Sequence, residues 1–119
     1  MMKPVPFFDG HNDVLLRLWR HEGADPVRAF LDGGRKGQLD LPMAHAGRFA
    51  GGFFAMFVPS PTEKPKSNGD GPGLNTETGA PMPPPPTLAD AQAATFTMAS
   101  ILVRIEREAS DREIGRAHV

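Results

Sequence analysis

The chain contains no cysteine among its 119 residues. Disulfide bonds and thiolate metal ligands are therefore excluded, and a metal site would have to use other donors. The lack of cysteine is compatible with a cytoplasmic protein, and we expect that location.

An excess of charge of one sign and long apolar runs are also lacking. The formal net charge is -1, and no basic cluster is present, which argues against nucleic acid as the main partner. No apolar run approaches the length that spans a membrane, and the start of the chain, MMKP, lacks the apolar core of a signal peptide. We therefore expect no membrane anchor in this segment.

A short polar motif, His11-Asn12-Asp13, follows an apolar run close to the N-terminus. Side chains alternate between the faces of a strand, so His11 and Asp13 are predicted to point the same way and Asn12 the other way. Imidazole nitrogen and carboxylate oxygen are both good ligands for zinc and related ions. The alternative is a strand end whose His and Asp bond to local backbone amides.

The remaining histidines, His21, His45 and His118, have no partner at ligand spacing. His21 lies in a polar stretch, His45 in a loop-like segment and His118 at the C-terminus. Each is expected to be an exposed histidine. Since a catalytic zinc usually takes three protein ligands, further ligands must come from elsewhere.

Three sequence blocks carry a resemblance to a known family. Residues 8–15 read FDGHNDVL, residues 37–47 read GQLDLPMAHAG and residues 51–59 read GGFFAMFVP. In order and spacing they resemble the N-terminal part of the membrane (renal-type) dipeptidases, the zinc-dependent peptidase family M19, including its bacterial members. One departure is His45, where related sequences commonly carry arginine.

The resemblance implies an α/β fold, the N-terminal portion of an incomplete (β/α)8 TIM barrel. It implies that His11 and Asp13 are ligands of a two-Zn²⁺ centre that hydrolyses dipeptides through a metal-activated bridging hydroxide. The bridging glutamate, two further histidines and the catalytic and substrate-binding residues would come from later strands. The resemblance also allows a homodimer of the full-length protein. Asp9 is a candidate to hold one of the ligands in place, and a strand-end structural hydrogen bond is the alternative.

The length of the chain predicts a fragment. A (β/α)8 barrel needs about 250 residues, so residues 1–112 are predicted to be the N-terminal part of one and to be inactive alone. Within them, residues 59–86 are rich in proline and glycine and predict a long loop. Residues 113–119 resemble a translated sequencing adaptor, and we expect them to be non-native.

Four elements are predicted from local patterns. Residues 14–20 form a short helix or an irregular segment, in which Trp19 packs against the protein, and residues 26–31 form a helix with Asp25 as its N-cap and Gly33-Gly34 at its end. The apolar residues 53–58 predict the second barrel strand. A long helix begins at Thr87, with a predicted buried face of Leu88, Ala91, Thr95, Met98, Leu102 and Ile105.

Two other functions remain open at this stage. Many metal-dependent amidohydrolases of the barrel type present His-x-His where this chain has His-x-Asp, which favours the dipeptidase interpretation. A non-catalytic binding protein on the same barrel, or a fragment that recruits a partner through its proline-rich segment, is the alternative outside enzymes.

Overall fold

The computed structural model describes residues 3–23, 25–34, 37–61 and 83–109. Its elements are β1 (Phe7–Asn12), α1 (Val14–Trp19), α2 (Pro26–Asp32), α3 (Leu41–Ala46), β2 (Phe49–Phe54) and α4 (Leu88–Ala109). Most of the predicted loop at 59–86 and all of the predicted non-native tail at 113–119 lie outside the described residues. Both therefore stay predictions.

The two strands pair in parallel. Phe7 lies opposite Phe49 and Asn12 lies opposite Phe54, with irregular register between these ends. Parallel neighbours need a crossover connection, and here it contains α1, α2 and α3. The protein is thus a mixed α/β structure with a small parallel sheet, in agreement with the predicted class. The complete barrel remains a prediction.

The second strand begins earlier than its apolar pattern predicts. The prediction placed it at 53–58, but β2 is Phe49–Phe54. Gly52 lies inside it, opposite Asp9, where an added Cβ would come within 3.0 Å of the Asp9 Cβ. Glycine carries no apolar signal, yet it permits this close approach. The pairing stops after Ala55, whose N–H bonds to the Asn12 carbonyl at 3.0 Å, because β1 then gives way to α1.

The first two helices agree with the sequence-based expectations. Residues 14–19 are helical, which settles the alternative left open for that segment, and Trp19 packs against the core as predicted. Asp25 caps α2 by accepting a hydrogen bond from the Val27 N–H at 3.0 Å. Gly33, with a φ of 76°, ends α2 in the left-handed region that favours glycine.

The third helix was not predicted, and it places His45 on α3 rather than in a loop. Asp40 is buried, and its Oδ1 accepts a hydrogen bond from the Met43 N–H at 2.9 Å. Pro42 occupies the first turn, where proline is well tolerated. An N-cap aspartate followed by an early proline is a helix-start signal. Here it favours a helix although the segment has only six residues.

The long helix α4 begins as predicted. Thr87 Oγ1 accepts a hydrogen bond from the Asp90 N–H at 3.1 Å and donates one to Asp90 Oδ2 at 2.7 Å. Its buried face differs in part from the prediction: Met98 is buried, but Leu88 is 75% exposed. The reason is that α4 packs on both α1 and α2. The small side chains of Ala94 and Ala109 on its buried face allow the helices to come close together. The buried residues of α4 are Ala94, Met98, Ile101, Ile105 and Ala109.

The hydrophobic core lies between these helices. Its largest fully buried side chains are Leu15 of α1, Val27 and Leu31 of α2 and Met98 of α4. Burying such a side chain stabilises a fold by about 1.5–3 kcal/mol. Along the described ranges, no helix combines the length and the apolar character that crossing a membrane requires.

A charged contact fastens α4 to the start of α2. The sequence predicts only that Arg104 and Glu108 lie one turn apart on a solvated helix end, and they do bond at 3.0 Å. The structure adds Asp25, whose carboxylate accepts two hydrogen bonds from the Arg104 guanidinium at 3.0 and 3.2 Å. The hydrogen bond from Arg104 lowers the pKa of Asp25 below its ordinary value of 3.8.

A second contact joins α1 to the segment before α3. The Arg17 guanidinium donates a hydrogen bond to the Leu39 carbonyl. Gly37 lies beneath it with a φ of 84°, and an added Cβ would come within 2.7 Å of the Arg17 side chain. Glycine is therefore favoured here by its conformation, and any larger residue would also force the Arg17 side chain to move.

Replacing Gly37 tests this second contact. Gly37→Ala is expected to lower the free energy of unfolding by about 1–3 kcal/mol, because alanine is strained at a positive φ and displaces Arg17. Gly34→Ala is the matched control, since an added Cβ there meets nothing within 4 Å. It should leave stability unchanged or raise it by up to about 1 kcal/mol. Equal losses in urea unfolding for both variants would contradict the argument.

The Asp25–Arg104 contact predicts a pH-dependent stability. Because the folded-state pKa of Asp25 lies below 3.8, the contact stabilises the fold above that pH and is lost as the pH falls through the folded-state pKa. Asp25→Asn keeps an N-cap oxygen but removes the charge, so it should lower the melting temperature at neutral pH.

The difference between Asp25→Asn and the parent should vanish well below pH 3.8. Arg28→Gln is the control, because Arg28 and Asp32 form an exposed pair at 3.9 Å. Such pairs contribute little to stability. A deficit of Asp25→Asn that persists unchanged in acid would show that the cap, rather than the charge, carries the effect.

Candidate metal site

The predicted metal-ligand pair lies where β1 ends and α1 begins. The strand stops at Asn12, and Asp13 occupies the N-cap position of α1 without a side-chain capping bond. The Nε2 atom of His11 lies 3.3 Å from Oδ1 of Asp13, and the two side chains are 66% and 53% exposed. The side chains of His11 and Asp13 therefore point the same way, as predicted, and both are accessible to solvent.

Hydrogen bonds from Asp9 and Asn12 surround the pair. Asp9 Oδ1 accepts a hydrogen bond from the His11 backbone N–H at 3.2 Å, and Asp9 Oδ2 accepts one from Asn12 Nδ2 at 3.0 Å. Asn12 Oδ1 accepts one from the Val14 N–H at 3.3 Å. Asp9 thus accepts a hydrogen bond from the backbone of His11, which is the strand-end structural hydrogen bond considered as the alternative role of Asp9. Whether it also influences a bound metal stays a prediction.

Asn12 differs from the sequence-based expectation. Strict alternation would direct its side chain away from Asp9, yet the two side chains bond. The physical reason is the irregular register between Asp9 and Asn12, which lets the strand twist as it approaches α1. The sequence did not predict a role for Asn12 at the site. Its position between the two predicted ligands His11 and Asp13 was a signal for such a role.

The pair opens onto a surface cleft of about 590 Å³. The cleft lies between β1, the start of α1 and the segment before α3. It is lined by His11, Asp13, Arg17, Leu39 and Phe49, among others.

Of the other histidines, the described His21 and His45 do not complete a three-donor metal group with this pair. Within the ranges 3–23, 25–34, 37–61 and 83–109, no group of three or more His, Asp or Glu side chains could hold a metal. His45 lies exposed on α3, as expected, but the expectation that His21 is exposed was wrong, because the structure has it half-buried. His118 lies outside the described residues. In this part of the chain, the candidate donors are His11 and Asp13.

Comparison with known sequences finds a relative that matches about half of the chain. No protein-family model matches the chain. The "uncharacterized protein in PQQ-III 3'region" of Acinetobacter calcoaceticus is 50% identical over 60 residues, which are 49% of this chain and 19% of that protein. The match covers too little of that protein to assign a function.

Comparison with solved structures is more informative. A metallopeptidase from Rhodobacter sphaeroides, solved with a phosphinate mimic of the dipeptide L-Ala-D-Ala, superimposes with a TM-score of 0.71 and 41% identity. The match covers 90% of this chain and 30% of the metallopeptidase. This chain therefore spans less than a third of either relative. The shared fold and the sequence identity show that the chain is related to a metallopeptidase.

Proposed function

We propose that this chain is the N-terminal part of a zinc-dependent dipeptidase of family M19, whose complete form hydrolyses dipeptides on a (β/α)8 barrel. The observation that carries the proposal is the His11–Asp13 pair, 3.3 Å apart at an open cleft, in a chain related to a metallopeptidase. The metallopeptidase was solved with a dipeptide mimic, which supports dipeptides as the substrate class.

The donor set of the pair fits a divalent metal in part. One imidazole nitrogen and one carboxylate oxygen are suitable ligands for Zn²⁺, and their short separation and exposure leave them available. A catalytic zinc takes three protein ligands, and the described residues bring no third donor to the pair. Under the proposal, the bridging glutamate and two histidines are supplied by later strands of the complete protein.

His11 and Asp13 would hold one metal ion at the rim of the cleft. Bound zinc ions polarise a scissile carbonyl and make water more acidic, which is the chemistry that peptide hydrolysis needs. The two side chains come from the end of a strand and the first residue before a helix, so their backbone is held on both sides. A metal site requires its ligands to be held in place, and these two elements fix the segment at its ends.

Exposed aromatic side chains support the proposal of a fragment. Phe8 is 60% exposed and Phe53 is 66% exposed, and their rings stack edge to face on the sheet. Phe7 and Phe57 are about half exposed as well. Large apolar side chains in such a cluster usually face a covering surface. Further strands and helices of a barrel would provide that cover.

Metal binding is the direct test of the site. Zn²⁺ added to the 119-residue chain is expected to shift the His11 imidazole NMR signals, with weak affinity because two ligands are present rather than three. His11→Gln and Asp13→Asn should each weaken this binding at least about tenfold, because each removes a metal donor. The loss of a residue that only hydrogen-bonds to a metal ligand already weakens metal affinity by about tenfold or more.

His45→Gln is the matched control for metal binding. It removes an exposed imidazole on α3, away from the pair, and should leave binding at the His11–Asp13 pair unchanged. If His11 signals fail to respond to Zn²⁺, or if Asp13→Asn binds as the parent does, the assigned ligand pair is wrong.

The parent gene tests the proposed enzyme. Sequencing the locus beyond residue 112 is expected to reveal about 200 further residues that carry a glutamate and two histidines at predicted strand ends. The complete protein should then hydrolyse dipeptides, and His11→Gln should reduce kcat/KM by at least about a hundredfold, since a metal ligand is lost. A continuation that folds and binds a dipeptide but lacks those ligands would favour the binding protein instead.

A further inference from the structure

The side chain of Asn12 uses both ends of its amide in hydrogen bonds next to the metal-ligand pair. Its Nδ2 donates to Asp9 Oδ2 at 3.0 Å, and its Oδ1 accepts from the Val14 N–H at 3.3 Å. Asp9 in turn accepts from the His11 backbone N–H at 3.2 Å. These three bonds run continuously from the residue two positions before His11 to the residue just after Asp13.

The strand pairing alone holds this segment loosely. The register between β1 and β2 is irregular from Asp9 to Asn12, so the ladder fixes the ends of the segment better than its middle. The His11 and Asp13 side chains are more than half exposed, so little packing orients them. Their mutual geometry therefore depends on the backbone between Asp9 and Val14, which the three hydrogen bonds connect.

We propose that Asn12 is a positioning residue for the metal site. It acts by linking the Asp9 carboxylate to the start of α1, so that the His11 nitrogen and the Asp13 oxygen are held toward a common ion. This inference rests on the proposed function, because it assumes that His11 and Asp13 bind metal. It adds a residue that contacts neither the ion nor a substrate.

The chemistry of the three bonds requires an amide at position 12. Asparagine supplies a donor for Asp9 and an acceptor for the Val14 N–H at the same time. Aspartate would keep the acceptor but place two carboxylates at the separation where Asn12 Nδ2 now donates, 3.0 Å. Like charges at that distance repel, so the link would open.

Exchanging the two residues gives a sharp test. In Asp9→Asn/Asn12→Asp, the amide and the carboxylate change places, the net charge is unaltered, and all three hydrogen bonds can re-form with the central donor reversed. Asn12→Asp loses the central bond, and Asp9→Asn loses one of the two bonds that the Asp9 carboxylate accepts. Asn12→Asp and Asp9→Asn are therefore expected to weaken Zn²⁺ binding at His11 by about 10–100-fold, and the double variant should recover most of that loss.

The readout is the Zn²⁺ titration of the His11 ring signals by NMR, in the 119-residue chain. Amide hydrogen exchange of His11 and Val14 without metal is a second readout. Protection of both amides should fall in the single variants and return in the double variant. Gln92→Glu is the control, because it makes the same amide-to-carboxylate change at an exposed position of α4.

The outcomes separate this inference from the function on which it rests. If the parent binds Zn²⁺ at His11 and Asn12→Asp binds equally well, Asn12 has no positioning role and the metal site stands. If both single variants bind weakly and the double variant is no better, the link between positions 9 and 12 does not carry the effect and the positioning role is wrong. If the parent does not bind, both proposals fail together.

Discussion

The packing of α4 against α1 and α2 is the interaction on which the rest of the structure depends. Met98, Leu15 and Val27 meet there with almost no exposure to solvent. Since α1 is a single short helix of six residues, this burial rather than its own propensity makes it stable. Asp13 lies directly before α1, so the position of one metal-ligand candidate follows from the core.

The sheet supplies the other half of the candidate site. Parallel pairing with β2 keeps β1 extended as far as Asn12, so that His11 lies at a strand end with its Nε2 atom 3.3 Å from Oδ1 of Asp13. The site is thus a junction between two layers that are stabilised in different ways. The helical layer has a buried core, whereas the sheet leaves the Phe7, Phe8 and Phe53 side chains about half or more exposed. Under the proposed function, the rest of the barrel covers those aromatics and adds the missing ligands.

Local signals in the sequence were sufficient where one residue type has one physical role. Asp25 with Pro26 predicted the start of α2, and Thr87 with Asp90 predicted the start of α4. The same kind of signal, Asp40 followed by Pro42, marks the start of α3, which was not predicted. His11 and Asp13 were correctly expected to point the same way, because two residues of a strand end share a face.

The sequence by itself determined the caps of α2 and α4 and the common direction of His11 and Asp13, because these depend on neighbours within about one turn or strand repeat. The α/β class followed instead from the resemblance of the three sequence blocks to a known family. Tertiary structure decided the start of β2 at Phe49, the buried face of α4, the Arg104–Asp25 contact and the bond from Asn12 to Asp9. The first three depend on which distant segments meet. The last depends on strand pairing whose irregular register no local pattern encodes.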